Sequence, residues 1–284
     1  MKKIISLALF GADHAKYGQY LPAFVRAHLN LFQLTEDWRL VVHVDAVVAE
    51  SRYGQLLAQL DRAELLTLRQ MQAAPLTQAM LWRVAPVFDS PTPDYVFCRD
   101  LDACPMPRDR AICDQFIASG CIVHTAHDNV AHAGIMGGLS GFHAPALIEA
   151  TGWHSLGDLY AAANQSAEVW ALHGSDQNAL NRLLDRAGGP RLLEHRFNGW
   201  TEGRPTPNAR GASGYATEAF SAPLPNEGVT TLPALVRDQA DRLANHLGSA
   251  GYDHRAAVQF WDAYGDPHVT VAVRLAEEAA RSIT

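Results

Sequence analysis

The chain has 284 residues, 48% of them hydrophobic and 19% charged, with a formal net charge of −7. That size suits one large α/β domain or a core domain with a smaller appendage, and the balance excludes a disordered chain. The 23 basic residues form no Lys/Arg-rich run, so the basic stripe that a nucleic-acid binder sets against phosphates is missing and no nucleic-acid partner is expected.

The opening stretch, MKKIISLALFGADHAKYGQY, sets two lysines before a mostly apolar run. It has the outline of a minimal signal peptide. A buried first strand over Ile4–Phe10, ended by a turn at Gly11, accounts for it better, because a helical pattern follows at once. That pattern covers Ala15–Phe32, with Tyr20, Phe24, Ala27 and Leu31 at helical spacing. WRLVVHVDAVV (38–48) begins as a second strand with Asp45 near its carboxyl end. Ser51 can cap a helix over Arg52–Asp61. AELLTLRQ (63–70) reads as a third, shorter strand, and Leu76–Phe88 as a helix. DYVFC (94–98) is the fourth strand, and it runs straight into the sequence Arg99, Asp100, Leu101, Asp102.

Farther on, Pro107 suits the first turn of a helix reaching about Ser119. CIVHTA reads as a strand, and GIMGGLSGFHA as a glycine-laced strand whose backbone something approaches closely. Ser175 can cap a helix beginning DQNALNRLLDRAG. Residues 197–228, rich in Gly, Pro, Asn and Thr, look like a long functional loop, with RGASGYATEAF (210–220) as a closing lid or an irregular surface connection. From Leu232 onward Ala, Arg, Glu and Leu recur at helical spacing. The expected division is a domain over 1–228 and a helical extension over 229–284 docked on it. No run approaches the ~18 apolar residues of a membrane span. The cysteines at 98, 104, 113 and 121 make no C-x-x-C pair, so reduced thiols near a core and a cytoplasmic setting are expected. Oligomeric state leaves no signature.

Strand–helix alternation calls for an α/β fold: a Rossmann-like, mostly parallel sheet with helices on both faces. Ligands of such sheets sit beyond the carboxyl ends of strands. Asp45 and the pair Asp100 and Asp102 fall at such ends and are expected to face one crevice. Two carboxylates two residues apart after a strand can grip one hard cation, Mg²⁺ or Mn²⁺, with positions left for phosphate oxygens. Such an ion would neutralise an anionic ligand on an acidic protein. A solvated acidic turn is the plain alternative. A phosphohydrolase of the haloacid dehalogenase type also uses D-x-D after a strand, but its pair lies near the amino terminus, with Thr or Val where Cys104 stands here.

Three blocks in order resemble bacterial and viral glycosyltransferase-like proteins of the nucleotide-sugar-binding A-type fold. They are WRVAPVFDSPTPDYVFCRDLDA, IVHTAHDNVAHAGIMGGLSG and GSDQNALN; with a similar opening segment they cover roughly residues 4–185. The resemblance implies that Asp100 and Asp102 hold the metal and, through it, the diphosphate of a nucleotide-sugar donor. It implies Asp45 near base or ribose, and Arg83 and Arg99 near the nucleotide or donor sugar. Gly137 and Gly138 would admit the donor sugar or acceptor, and Asp128, His132 and Asp176 would line the reacting face. The acceptor would be a glycan or small molecule bearing a hydroxyl. The chain departs from the pattern at Ala103, at His127, which replaces a bidentate Arg, and at Ser140, which replaces a Trp. A catalytically silent sugar-nucleotide or glycan binder is therefore a further reading. Asp176 at a helix start also suits the helix dipole with no catalytic role. The histidines at 124, 127 and 132 lack a zinc spacing, and His195 or a later histidine is a candidate third metal ligand.

Overall fold

A computed structural model describes residues 1–18, 20–32, 37–101, 105, 107–127, 134–186, 192–196 and 217–220. In chain order the elements are β1 (Lys3–Leu9), α1 (His14–Gly18), α2 (Leu21–Leu31), β2 (Trp38–Val44), α3 (Ala46–Ala49), α4 (Arg52–Arg62), β3 (Thr67–Gln70) and α5 (Leu76–Met80). A 3-10 helix (Leu81–Phe88) follows, then β4 (Tyr95–Arg99), α6 (Pro107–Ser119), β5 (Val123–His127), β6 (Leu139–His143) and α7 (Ala144–Thr151). The last are α8 (Leu156–Ala163), α9 (Ala167–Trp170), α10 (Ser175–Arg186), β7 (Leu192–Arg196) and β8 (Thr217–Phe220). No helix among the described residues is long and apolar enough to cross a membrane.

The chain divides into two compact units. Among the described residues, the first takes Met1–Ala8, Ala73–Asp100 and those from Ile112 on; the second takes Leu9–Gln72 and Leu101–Ala111. In the first unit the strand order is β1-β4-β6-β5-β7-β8. The pairs β1·β4, β5·β7 and β7·β8 are parallel, and β6 runs antiparallel to both of its neighbours. Every residue of β4 is buried, so both of its faces must be covered, and the side-chain alternation of a strand shows how. Tyr95 and Phe97 point to α6, where the Phe116 ring stands edge-on at 5.6 and 5.9 Å. Such pairs each add about 0.5–1.5 kcal/mol beyond buried area. Val96 and Cys98 point to the opposite face, where the Cys98 thiol donates to the carbonyl of Arg83 at 3.4 Å in the 3-10 helix. Cys98, Cys113 and Cys121 are free and buried, as expected; burial pushes the Cys98 thiol up to about 11. Cys104 lies outside the described residues.

In the second unit β2 and β3 pair in parallel from Val41↔Thr67 to Val44↔Gln70. Phe32 and Trp38 pack with ring centroids 4.7 Å apart, and the Arg110 guanidinium lies 5.2 Å from the Trp38 ring centroid. Arg110 also donates to the Leu31 carbonyl at 2.9 Å. The last carbonyls of a helix have no partner within it and carry its negative pole, so a cation there serves α2 twice.

Several expected boundaries move. The helix over Ala15–Phe32 is two, because Pro22, with no N–H to donate, opens a new first turn in α2. The second strand ends at Val44, since the Asp45 carboxylate accepts from Val48 N at 2.9 Å and caps α3. Ser51 caps α4 as expected, accepting from Tyr53 N and Gly54 N. Glu64, at φ 58, turns the chain sharply, so β3 starts only at Thr67. The expected helix over Leu76–Phe88 tightens to 3-10 at Leu81, with Pro86 inside the tightened stretch. α7, α8 and α9 add three helices to the expected elements. Thr217–Phe220, expected in a loop, pairs as a strand with β7. The rest of 197–228 and the extension over 229–284 lie outside the described residues.

His28 in α2 is fully buried against Phe32, and neither ring nitrogen has a hydrogen-bond partner among the described residues. Burial lowers its pKa from 6.5 to about 3. His195 falls to about 4, through burial first and then the Arg99 charge. The unfolded chain therefore binds these protons before the folded one does. Their contribution to stability is full above pH ~6.5 and drains away as pH falls toward 4 and below. The urea midpoint is expected to fall between pH 7.5 and pH 4.5, and His28→Leu to remove part of that fall. An equal fall in the variant would show that His28 titrates as freely in the folded chain as in the unfolded one.

Candidate functional site

The alternation along β4 decides where its last residues go. Arg99 shares a face with Tyr95 and Phe97, and its guanidinium is buried against α6 and the sheet. Nη1 donates to the carbonyls of Cys98 at 2.8 Å and Ser140 at 3.0 Å, and Nη2 to Cys113 Sγ at 3.4 Å. With 1% of its surface exposed, it braces β4 against β6. Asp100, one residue on, turns the other way, to the side of the 3-10 helix. There its Oδ1 accepts from Arg83 Nη1.

Arg83 is a buried cation, 3% exposed, held from three sides. Nε donates to the Met80 carbonyl at 2.7 Å, Nη1 meets Asp100, and Nη2 lies 3.5 Å from Asp176 Oδ2. Asp100 is 45% exposed and Asp176 only 2%. Asp176 sits in the first turn of α10, and its Oδ2 has no hydrogen-bond partner among the described residues. Burial pushes its carboxyl above the usual range, while the Arg83 charge and the Gln177 N–H draw it back. Burial alone would lower the Arg83 pKa, but the charges of Asp100 and Asp176 outweigh it and raise it. The expected cap Ser175 lies inside that first turn instead. Its hydroxyl meets Thr77 Oγ1 at 2.5 Å and the Leu172 carbonyl at 2.7 Å, pinning α10 to α5.

The antiparallel course of β6 completes the arrangement. Leu139 at the start of β6 pairs with Arg99 at the end of β4, so the loop before β6 ends beside Asp100. Asp100 N donates to the Gly138 carbonyl at 3.2 Å. A methyl group on Gly138 would collide with the Asp100 carboxylate, and one on Gly137 would stand 2.5 Å from Asp176 Oδ2. At both positions the backbone itself lies against a carboxylate, which any side chain there would have to displace.

The structure thus brings together Arg83, Asp100, Gly137, Gly138 and Asp176. Asp45 belongs to the second unit, where its carboxylate caps α3 and accepts from Gly11 N at 2.8 Å. Asp102, Asp128 and His132 lie outside the described residues. His195 is buried in β7 and shares a hydrogen bond with Gln115 at 3.0 Å. Two residues not singled out from sequence, Thr125 and Asn181, hold the glycine loop. Among the described residues no group of three His, Cys, Asp or Glu side chains gathers as a metal site. The donor chemistry of Asp100 still suits a hard cation. Arg83 takes Oδ1, and Oδ2 lies against Gly138; carboxylate oxygens are the hard donors that Mg²⁺ and Mn²⁺ prefer.

No protein-family model matches the chain, and no curated protein matches it. Among solved structures it is similar to a mannosyltransferase, PcManGT from Pyrobaculum calidifontis, in complex with GDP-Man and Mn²⁺. The identity is 13% and the TM-score 0.45, over 99% of this chain and 73% of that one. A likeness so slight carries no argument about chemistry, and the α/β organisation stands on the strands and helices described above.

Removing one member of a buried ion pair costs about 3–5 kcal/mol, because the other charge is left uncompensated. Arg83→Met is expected to lose stability on the order of 3 kcal/mol in urea denaturation, and Asp176→Asn less, since Arg83 keeps Asp100 as its nearer partner. The double variant Arg83→Met/Asp176→Asn is expected to recover part of the loss. Simple additivity of the two single effects would show that the pair is not coupled.

Proposed function

We propose that this chain is a metal-dependent glycosyltransferase, moving a sugar from a nucleoside-diphosphate sugar to a hydroxyl of a glycan or other small acceptor. One observation carries the reading. A half-exposed carboxylate stands at the carboxyl end of a central strand, aimed by a buried arginine and faced by the bare backbone of Gly138. Strand ends of this kind are where α/β sheets hold ligands, and the missing Cβ atoms let the loop backbone lie directly against the carboxylates.

Asp100, with Asp102 two residues on, would hold Mn²⁺ or Mg²⁺ through hard oxygen donors. The ion, when bound, neutralises the diphosphate and the charge that develops on it as the leaving group. The chain's own residues do the rest. Arg83, tethered to the Met80 carbonyl, fixes the carboxylate plane of Asp100. Asp176 is the counter-charge that holds Arg83, which its burial suits better than accepting a proton from an acceptor. That proton transfer is assigned to Asp128 or His132. Gly137 and Gly138 give the donor sugar close access to the backbone.

A ligand bound by the folded state alone raises the melting point by mass action, about 2.7 kcal/mol of stability at a hundred times its Kd. Thermal-shift measurements with GDP, UDP and their sugars, with and without Mn²⁺, are expected to show metal-dependent stabilisation by at least one. The effect is expected to vanish in Asp102→Ala and in Asp100→Asn. No stabilisation by any of them would end the transferase reading. Phosphate release from simple esters, abolished by Asp100→Asn, would point to a phosphohydrolase. Metal-dependent binding with neither hydrolysis nor transfer would point to a silent binder.

A further inference from the structure

We infer that Thr125 and Asn181 are positioning residues that hold the Gly134–Gly138 loop at a set distance from Asp100, and that a metal–diphosphate pair binds only to the held loop. The inference rests on the reading that Asp100 and the two glycines form the donor site.

A loop with three glycines in five residues is poorly suited to hold one shape by itself. Glycine has the most backbone freedom to lose, and each ordered residue costs roughly 1–2 kcal/mol of conformational entropy. Unheld, the loop could press further onto the Asp100 carboxylate, against which Gly138 already lies, or swing away from it. Side chains outside the loop prevent both. The Asn181 amide pairs with both backbone groups of Ile135, accepting from its N–H at 3.0 Å and donating to its carbonyl at 3.4 Å. The same amide donates to the Gln177 carbonyl at 2.8 Å, which fixes its orientation within α10. Thr125 grips the loop on either side of Ile135: its hydroxyl donates to the Gly134 carbonyl at 3.2 Å and accepts from Met136 N at 3.0 Å.

Both grips start from rigid elements. Thr125 pairs with Ser140 across β5 and β6, and Asn181 projects from the helix that carries Asp176. Gly134 is bent to φ 66, and a Cβ there would stand 2.6 Å from Asn181 Oδ1, so the loop can close on the amide only with glycine at that position. α10 therefore meets the loop twice, through Asn181 at Ile135 and Asp176 at Gly137. The placement of Gly138 against Asp100 is thereby referred to the same helix that locates Arg83.

Thr125→Val is nearly isosteric and removes two hydrogen bonds to the loop, whereas Thr125→Ser keeps them. Asn181→Ala removes the paired amide. The full chain and these variants would be titrated calorimetrically with Mn²⁺ and GDP or UDP, and hydrogen exchange followed at residues 134–139. Thr125→Val and Asn181→Ala are expected to speed exchange in the loop and to weaken diphosphate binding about tenfold, on the scale of two hydrogen bonds. Thr125→Ser is expected to stay close to the wild type in both. Unchanged affinity alongside faster exchange, unchanged exchange, or Thr125→Ser behaving like Thr125→Val would each overturn the inference. If Asn181→Ala does not fold, the two Thr125 variants decide. If the wild type binds neither nucleotide, the transferase reading fails, and the exchange data alone decide whether these side chains hold the loop.

Discussion

The site depends on a guanidinium held away from water between two carboxylates of unequal exposure. Arg83 cannot shed its charge, so its burial requires anions beside it, and Asp100 and Asp176 supply them. The inequality matters. Asp176 is as buried as Arg83, so it serves the pair from within. Asp100 reaches the same cation from a half-exposed position and keeps one oxygen directed elsewhere. A carboxylate whose plane is set by a fixed partner loses less freedom on gripping a ligand than one waving in solvent.

That arrangement needs a backbone that comes close, and strand direction provides it. Among the described strands β6 alone runs against its neighbours, and it starts where β4 ends. The connection into β6 is thereby delivered to the mouth of the site. A parallel β6 would have put its start at the opposite edge of the sheet, and Gly137 and Gly138 with it. The inversion also explains the pairing of Thr125 with Ser140, which places a strand hydroxyl at the base of the same loop.

The acidic character of the chain fits this picture. Its one buried cation at the site is already neutralised by two carboxylates, so it offers little net charge to an anionic ligand. An ion recruited by Asp100 and Asp102 would supply what the protein lacks, which is the physical core of the transferase proposal.

The sequence by itself determined the features that depend on neighbours a few residues away. The apolar runs of β1, β2 and β4, the Ser51 cap, the proline-led start of α6 and the placement of Asp100 just past a strand follow from local periodicity and capping chemistry. The double glycine announced a close approach without saying to what. Only the tertiary structure decided which arginine serves Asp100. Arg99 is adjacent in sequence but lies on the far face of the strand, whereas Arg83, seventeen residues earlier, is folded against the near one. Only it decided that Asp176 is buried, that β6 is inverted, and that Asn181 reads the backbone of Ile135 across 46 positions of chain. Local pattern records which face of an element is apolar. It does not record which partner that face will meet, because that choice is made by packing between residues far apart in the chain.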